Sequence, residues 1–340
     1  MRGSNKQKIT LAEVAERAGV SRSAVSRTFT QGASVSTATR AKVLSAASEL
    51  GYRPNLLARS LSTGISGLIG VVANNFHNPI YLEVFDLMTR ALQALGYKTL
   101  LINLTDETDP DRSVELLNQY QVDAVVVASS TLPLGFAEAF SVAGIPTVHA
   151  FGRDNPRAPL DVVGIDNVEA GRIAARRLIQ CGYQHIGFLG GPERATSTRD
   201  RLEGFLDVLD SHPRIKTQVE FAGDYTFEAG FSSMAGLLLK QPAQGYFCAD
   251  DVISIGAMTA VRKSERGVPE DIGVIGFNNM EIASWENIRL TTVAQPLKDI
   301  IDVASARVDS ALKAEPGYQP SVTLLPCTVV ERDTLPPITD

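Results

Sequence analysis

Cysteine is scarce in this 340-residue chain, and Cys181, Cys248 and Cys327 lie too far apart for a disulfide framework or a CxxC metal site. They fit a reducing cytoplasm, as small buried hydrophobes. The four histidines, His77, His149, His185 and His212, are scattered, with no metal-ligand spacing and no evident nucleophile or acid partner. These shortages argue against a catalytic residue set, a resident metal or a bound cofactor. No apolar run approaches the roughly 20 residues of a membrane span. The opening MRGSNKQKIT does not resemble a signal peptide. Hydrophobic residues at 44% and charged residues at 21% are globular proportions, in a chain long enough for two or three domains.

The net charge of −6 conceals an asymmetry. Residues 1–62 carry ten Lys and Arg against three acids, or +7, which leaves −13 for the remainder. A basic module that meets a polyanion, fused to an acidic body, explains the split. A merely solvated basic surface is the plainer alternative.

The basic stretch has its own punctuation. Thr10-Leu11-Ala12-Glu13 has the form of a capping box, and Leu11, Val14, Ala15 and Ala18 follow at helical spacing. Gly19 ends that helix and Ser21 caps the next. In the second helix Val25 and Phe29 face a core, while Arg22, Ser23, Ser26 and Arg27 share the opposite surface. A third helix starts near Ser36, carries Val43, Leu44, Ala47 and Leu50, and stops at Gly51. Two short helices around a glycine turn, with a supporting third, form a helix-turn-helix. Arginine forks and serine hydroxyls on the exposed face suit base edges and phosphates in a major groove. After it, RPNLLARSL offers a proline-led helix with Leu57 and Leu61 one turn apart. At about eight residues it needs a partner to be stable.

Taken together, ITLAEVAERAGVSRSAVSRTFTQ and VSTATRAKVLSAASELGYRPNLLARSLSTG resemble the head and hinge of the lactose-repressor (LacI/GalR) family of bacterial transcription regulators. The resemblance extends through most of the chain. It implies that Arg22 and Ser23 discriminate bases and that Ser26 and Arg27 reach bases or backbone. Thr10, Ser36 and Thr39 would support docking, with Asn55 and Ala58 in the hinge. Leu61 matches a leucine that wedges into the minor groove, unstacking a step and kinking the DNA. Capping is the alternative role for the hydroxyls, and core packing for Leu61.

From residue 67 the pattern changes. GLIGVV, KTLLI, VDAVVVA, IPTVHA, DVVGI, HIGFLG, QGYFCA and IGVIGF read as buried parallel strands. Residues 80–95, with Val84, Met88, Ala91 and Leu95 as the inward stripe, and residues 168–181 and 252–264 read as crossover helices. The fold class is therefore an N-terminal all-α helix-turn-helix head with a hinge helix, followed by a two-lobed α/β domain. That domain is periplasmic-binding-protein-like and Rossmann-like, with parallel sheets. Expected boundaries are 1–53 for the head, 54–65 for the hinge and linker, and 66–340 for the effector-binding and dimerisation domain. Its first lobe spans about 66–165 plus 296–324, and its second about 166–295 plus 325–340.

Ligands of such folds bind beyond the carboxyl ends of strands. The resemblance picks Ile80 and Tyr81 from NNFHNPIY, Ser197 and Arg201 from PERATSTRDRLEGF, and Tyr225 from GDYTFEAGF, where an aromatic stacks on ligands. Phe151 falls where many members place an aspartate. Two departures stand out. Ala249-Asp250-Asp251 replaces the family's Ala-Asn-Asp, and Phe277-Asn278-Asn279 replaces Asp followed by Asp or Asn. Acid and amide are thus exchanged between Asp250 and Asn278, which keeps both donors and acceptors in the cleft. The glycines of GFLGGP read as a tight strand-to-helix turn, since the phosphate-loop pattern is missing.

The resulting expectation is a cytoplasmic, homodimeric repressor on pseudo-palindromic operator DNA. It would be released by a mono- or disaccharide or glycoside. VVERDTLPPITD lacks the heptads of a tetramer-forming tail. Open alternatives are a regulator that needs a non-sugar metabolite to bind DNA and, more distantly, a periplasmic-type sugar receptor.

Overall fold

The structure, a computed structural model, describes residues 9–29, 33–53, 65–74, 76–104, 109–129, 132, 134–153 and 160–337. Two compact units divide the chain, Met1–Ser66 and Gly67–Asp340. In the first, α1 (Leu11–Ala18), α2 (Arg22–Thr28) and α3 (Thr37–Leu50) follow one another. Each start is fixed by the cap its sequence provides. Thr10 Oγ1 accepts from Glu13 N at 3.4 Å, and Glu13 Oε2 accepts from Thr10 N at 2.7 Å. Ser21 and Ser36 accept from Ala24 N and Thr39 N at 3.2 Å each. Gly19 closes α1 with φ 63°, a left-handed conformation that costs glycine nothing in sterics.

Val14, Ala15, Val25, Val43, Ala46 and Ala47 form the head's core, with Leu11, Ala18, Phe29 and Leu50 packed against it. One inward assignment is corrected: Leu44 is 48% exposed, and Ala46 takes the inward place. Residues 43, 46, 47 and 50 make one stripe at three- and four-residue steps, and position 44 falls off it.

The second unit contains two parallel sheets. The first lobe orders its strands β11-β5-β4-β3-β1-β2, all parallel, from β1 (Leu68–Asn74), β2 (Lys98–Leu104), β3 (Ala124–Ala128), β4 (Thr147–Ala150), β5 (Asp161–Ile165) and β11 (Val322–Leu325). The second orders them β12-β10-β9-β8-β6-β7, from β6 (His185–Gly190), β7 (Lys216–Phe221), β8 (Gly245–Cys248), β9 (Gly273–Asn278), β10 (Thr292–Ala294) and an antiparallel β12 (Thr328–Val330). Both sheets reverse strand order at their first strand, between β1 and β3 and between β6 and β8. Loops leaving such a switch point diverge and open a crevice.

Crossover helices cover the sheets: α4 (Ile80–Ala94), α5 (Pro110–Gln119) and α6 (Leu134–Val142) in the first lobe. The second has α7 (Asn167–Gln180), α8 (Thr196–Asp210), α9 (Phe227–Leu238) and α10 (Asp251–Lys263). The chain then returns to the first lobe through α11 (Leu297–Leu312), which packs on α4, β3, β4 and β5. All eight apolar runs are strands, but one is not buried as expected: β2 lies at the sheet edge, with Lys98, Leu101 and Asn103 exposed. The apolar-run criterion missed β7, β10, β11 and β12, because they are short or polar: β7 is an edge strand with the sequence KTQVEF and no fully buried residue. The α4 stripe is also corrected. Its buried residues are Ile80, Tyr81, Val84, Met88 and Leu92, whereas Leu95 lies past the last turn and is exposed.

Two helix pairs in the second lobe meet backbone to backbone. A Cβ on Gly204 of α8 would overlap the carbonyl of Val168 on α7, and one on Gly171 would overlap Arg201 O. Gly230 and Gly256 do the same between α9 and α10. In GFLGGP the glycines serve side-chain packing rather than turn geometry. Neither Gly190 nor Gly191 has a positive φ, and a Cβ on Gly191 would strike the ring of Tyr225. Gly204→Ala is therefore expected to destabilise the body by about 1–3 kcal/mol or more, as overpacking does. Urea unfolding of the full chain measures it, and an unchanged midpoint contradicts the close helix contact.

Candidate functional site

Two surfaces carry the candidate functional side chains, one in each unit. In the head, α2 turns Val25 and Thr28 inward. Arg22, Ser23, Ser26 and Arg27 are all exposed, on the face the spacing predicts. Among the described residues neither Arg22 nor Arg27 pairs with a carboxylate, whereas Arg17 holds Glu49 at 2.5 Å. Ser23 Oγ lies 2.9 Å from Ser21 Oγ. The other hydroxyls have local work. Thr10 Oγ1 donates to Glu13 Oε2 at 2.7 Å, and Ser36 Oγ donates to Thr39 Oγ1 at 2.8 Å. Asn55, Ala58 and Leu61 lie outside the described residues.

In the body, Ile80, Tyr81, Phe151, Ser197, Arg201, Tyr225, Asp250 and Asn278 line one cavity. It contains about 610 Å³ of unoccupied space, counting its open mouth. Asn78, Val84, Ile165, Asn167 and Gln295 complete the lining and were not foreseen. Asn78 lies two residues before Ile80, and its amide was a legible signal. Asn167 and Gln295 lie where the chain passes between lobes, which only the tertiary fold reveals.

Asp250 is the centre of the polar set. It caps α10, its Oδ1 accepting from Val252 N at 2.8 Å. Its Oδ2 accepts from Asn78 Nδ2 of the first lobe and from Asn278 Nδ2 of the second, each at 2.9 Å. Gln295 Nε2 in turn donates to Asn278 Oδ1 at 2.7 Å, and Asn78 Oδ1 accepts from Ile80 N at 3.1 Å. The exchanged acid and amide are thus bonded to each other. Burial pushes the Asp250 carboxyl up to about 6, against the pull of the Asn78 amide and the Val252 N–H. Its neighbour Asp251, wholly buried, is also raised, with the nearby Asp250 charge adding to desolvation.

Arg201, on α8, is buried, and its guanidinium carbon lies 3.5 Å from the centroid of the Phe277 ring. Nε donates to Asn167 Oδ1 and Nη1 to Ala249 O, both at 2.8 Å. Two of its five donors are so used, and among the described residues no carboxylate lies within ion-pair distance. Desolvation lowers its pKa from the usual arginine value. Tyr225 belongs to the second lobe's core and also lines the cavity. Its hydroxyl lies 2.7 Å from Thr198 Oγ1 and 3.5 Å from Ser197 Oγ. Burial raises the Tyr81 hydroxyl, which therefore stays protonated.

Phe151 stands in the left-handed region at φ 63°, a conformation that costs a bulky residue about 1–3 kcal/mol. Its amide donates to Val163 O at 2.7 Å, which holds it there. Asn278 and Asn279 also have positive φ, 112° and 57°. Among the described residues no group of three or more His, Cys, Asp or Glu is placed to hold a metal ion. No described helix is long and apolar enough to cross a membrane.

Residues 10–55 match the lacI family of bacterial regulatory proteins, and residues 175–335 match the periplasmic binding protein-like domain. The chain is 31% identical over 294 residues to the HTH-type transcriptional repressor CytR of Escherichia coli K12, covering 86% of each. Among solved structures it is similar to the lac repressor dimer bound to operator and the anti-inducer ONPF. The TM-score is 0.84 and the identity 27%, over 96% of this chain and 99% of that one. It is also similar to a complex of the transcriptional regulator CelR with cellobiose, with TM-score 0.72 and identity 27%, over 96% and 100%.

The raised Asp250 carboxyl has a stability consequence of definite sign. Between its ordinary 3.8 and about 6, the folded protein holds a proton that the unfolded chain has released. The carboxyl's contribution to stability therefore falls as pH rises through that window and is level above it. Urea midpoints of the full chain between about pH 4 and pH 8 are expected to slope downward less for Asp250→Asn than for the parent. Parallel slopes contradict the assignment.

Proposed function

The chain belongs to the LacI family of bacterial regulatory proteins, and from that premise we propose that it is a repressor released from its operator by a neutral carbohydrate bound between its two lobes. The observation that carries this reading is the bonded set Asn78–Asp250–Asn278–Gln295, which spans the cleft beside the Arg201 fork and the rings of Tyr81, Phe151 and Tyr225. A sugar hydroxyl both donates and accepts, and amides, a carboxylate and a guanidinium around aromatic walls meet both needs.

In this reading Arg22 and Ser23 read bases in the major groove, with Ser26 and Arg27 on bases or backbone. Thr10, Ser36 and Thr39 brace the head on phosphates, Thr10 and Ser36 while capping their helices. The hinge positions Asn55, Ala58 and Leu61 take their roles from the family resemblance, with Leu61 as the minor-groove wedge. A homodimer supplies two heads for a pseudo-palindromic site. Its place of action is the cytoplasm, where the DNA is. Ligand in the cleft fixes one arrangement of the lobes, and the hinges of two subunits, too short to stay helical alone, separate. A tenfold loss of DNA affinity needs only about 1.4 kcal/mol of coupling.

Arg22→Ala is expected to relax base preference at one position per half-site, at about 1–3 kcal/mol for a lost bidentate contact. Footprints across operator variants at fixed salt test it, and uniform weakening of every sequence contradicts base reading. In a thermal-shift screen, a sugar at about a hundred times its Kd adds about 2.7 kcal/mol to stability. Calorimetry with operator present should then give a weaker sugar affinity than without it, by reciprocity. Equal affinities exclude induction, and tighter binding makes the sugar a corepressor.

A further inference from the structure

The body begins at Gly67, and the covalent path from the head into the body passes through it. Gly67 has φ 69°, in the left-handed region that glycine adopts without steric cost. An extended residue turns its N–H and C=O toward the same neighbouring strand. The left-handed turn parts them. Gly67 O accepts from Lys98 N, at the start of β2, at 2.8 Å. Gly67 N donates to Asp123 Oδ2 at 2.6 Å, on the opposite side and one residue ahead of β3. Asp123 N in turn donates to Leu68 O at 2.8 Å. The register of β1 with β3 starts at Ile69 opposite Ala124. Asp123 therefore carries the attachment of β1 two residues further, its backbone holding Leu68 and its carboxylate holding Gly67.

The neighbouring corner is fastened as well. Tyr97, just ahead of Lys98, gives its N–H to Leu92 O at 3.0 Å and its hydroxyl to Asp309 Oδ1 at 2.9 Å, near the end of α11. Burial, the bond to Asp309 and the charges of Asp309 and Asp123 push the Tyr97 hydroxyl up to about 12, so it remains a donor. Lys313, one turn beyond Asp309, pairs with it at 2.6 Å. The same helix begins two residues after Gln295 of the cavity wall, so one rigid element runs from the cavity to this corner. Gly67 and Asp123 are only partly buried and line no cavity, so neither core packing nor ligand contact accounts for the arrangement.

We propose that Asp123 is a positioning residue for DNA binding: its clasp on Gly67 fixes the path by which the chain leaves the body, and so holds the two heads of a dimer at the separation of two half-sites. This rests on the dimeric operator-binding part of the reading above and not on its carbohydrate part. A head bound at one half-site keeps the other head at a high effective concentration only while the connection between them is aimed. An exit free to swivel spreads the second head over a larger volume and lowers that concentration. One head on one half-site is indifferent to the exit. Tyr97 and Asp309 tie the same corner to α11, so the clasp moves with the helix that starts at the cavity wall.

The test compares two duplexes in anisotropy titrations of the full chain at one salt concentration. The first is the two-half duplex that the parent selects from a random-sequence library, and the second is the same duplex with one half replaced by unrelated sequence. Asp123→Ala is expected to lower the ratio of whole-site to half-site affinity about tenfold, with the half-site Kd unchanged. Asp123→Asn, whose Oδ1 still accepts from Gly67 N, is expected to keep the ratio within about twofold of the parent's. Should Asp123→Ala melt below the parent, Gly67→Ala takes its place. A Cβ there meets nothing within 4 Å, so the substitution strains only the left-handed backbone, and the ratio is expected to fall in the same way. An unchanged ratio in the alanine variant, equal weakening on both duplexes, or an equal loss in Asp123→Asn overturns the clasp and leaves operator binding standing. If the parent selects no two-half duplex, the operator reading falls and the clasp with it.

Discussion

A carboxylate placed inside a protein needs donors, and Asp250 takes them from both sides of a cleft. Asn78 reaches it from the first lobe and Asn278 from the second, at equal distances. Leaving both donors out would strand a buried acceptor, at a cost of about 1–3 kcal/mol or more. The same side chain starts α10, so the cap, the lobe contact and the cavity wall share one set of atoms. Whatever enters the cavity must work around this bonded set or replace part of it.

The surroundings of that carboxylate are arranged to hold polar groups still. Arg201 is clamped by Asn167 and the Ala249 carbonyl and lies over Phe277, so its remaining donors are presented in a fixed plane. The helix that carries it lies against α7 with no side chain between them at Gly171 and Gly204, which leaves α8 little freedom to shift. Two lining residues, Phe151 and Asn278, adopt positive φ. The surrounding hydrogen bonds hold that strain in place, and it is a frequent feature of ligand sites.

The head works by a different economy. It has a small core of valines and alanines, three capped helices and an α2 surface of two arginines and two serines. Because Val25 and Thr28 satisfy the inward needs of α2, the outward residues are released from any packing duty. Among the described residues the arginines pair with no acid, in contrast to Arg17 with Glu49. Cations without acid partners on a short, well-capped helix are suited to phosphates and base edges outside the protein.

The sequence alone determined the local features. Capping residues marked the helix starts, glycines the stops, and apolar runs the strands buried on both faces, because each signal acts within a few residues of itself. Charge asymmetry separated the head from the body for the same reason. Eight cavity residues were legible once the family resemblance was in hand. The strands β7 and β10–β12 were not, since they lack the apolar runs that two-sided burial demands. The inward roles of Ala46 and Leu92 turned on helix phase, which neighbouring elements set. Asn167 and Gln295 became cavity residues only because the chain passes between lobes at those points, and the Asp250–Asn278 bond joins residues whose proximity no local pattern encodes. Contacts between residues far apart in sequence are created by packing, and packing belongs to the tertiary structure.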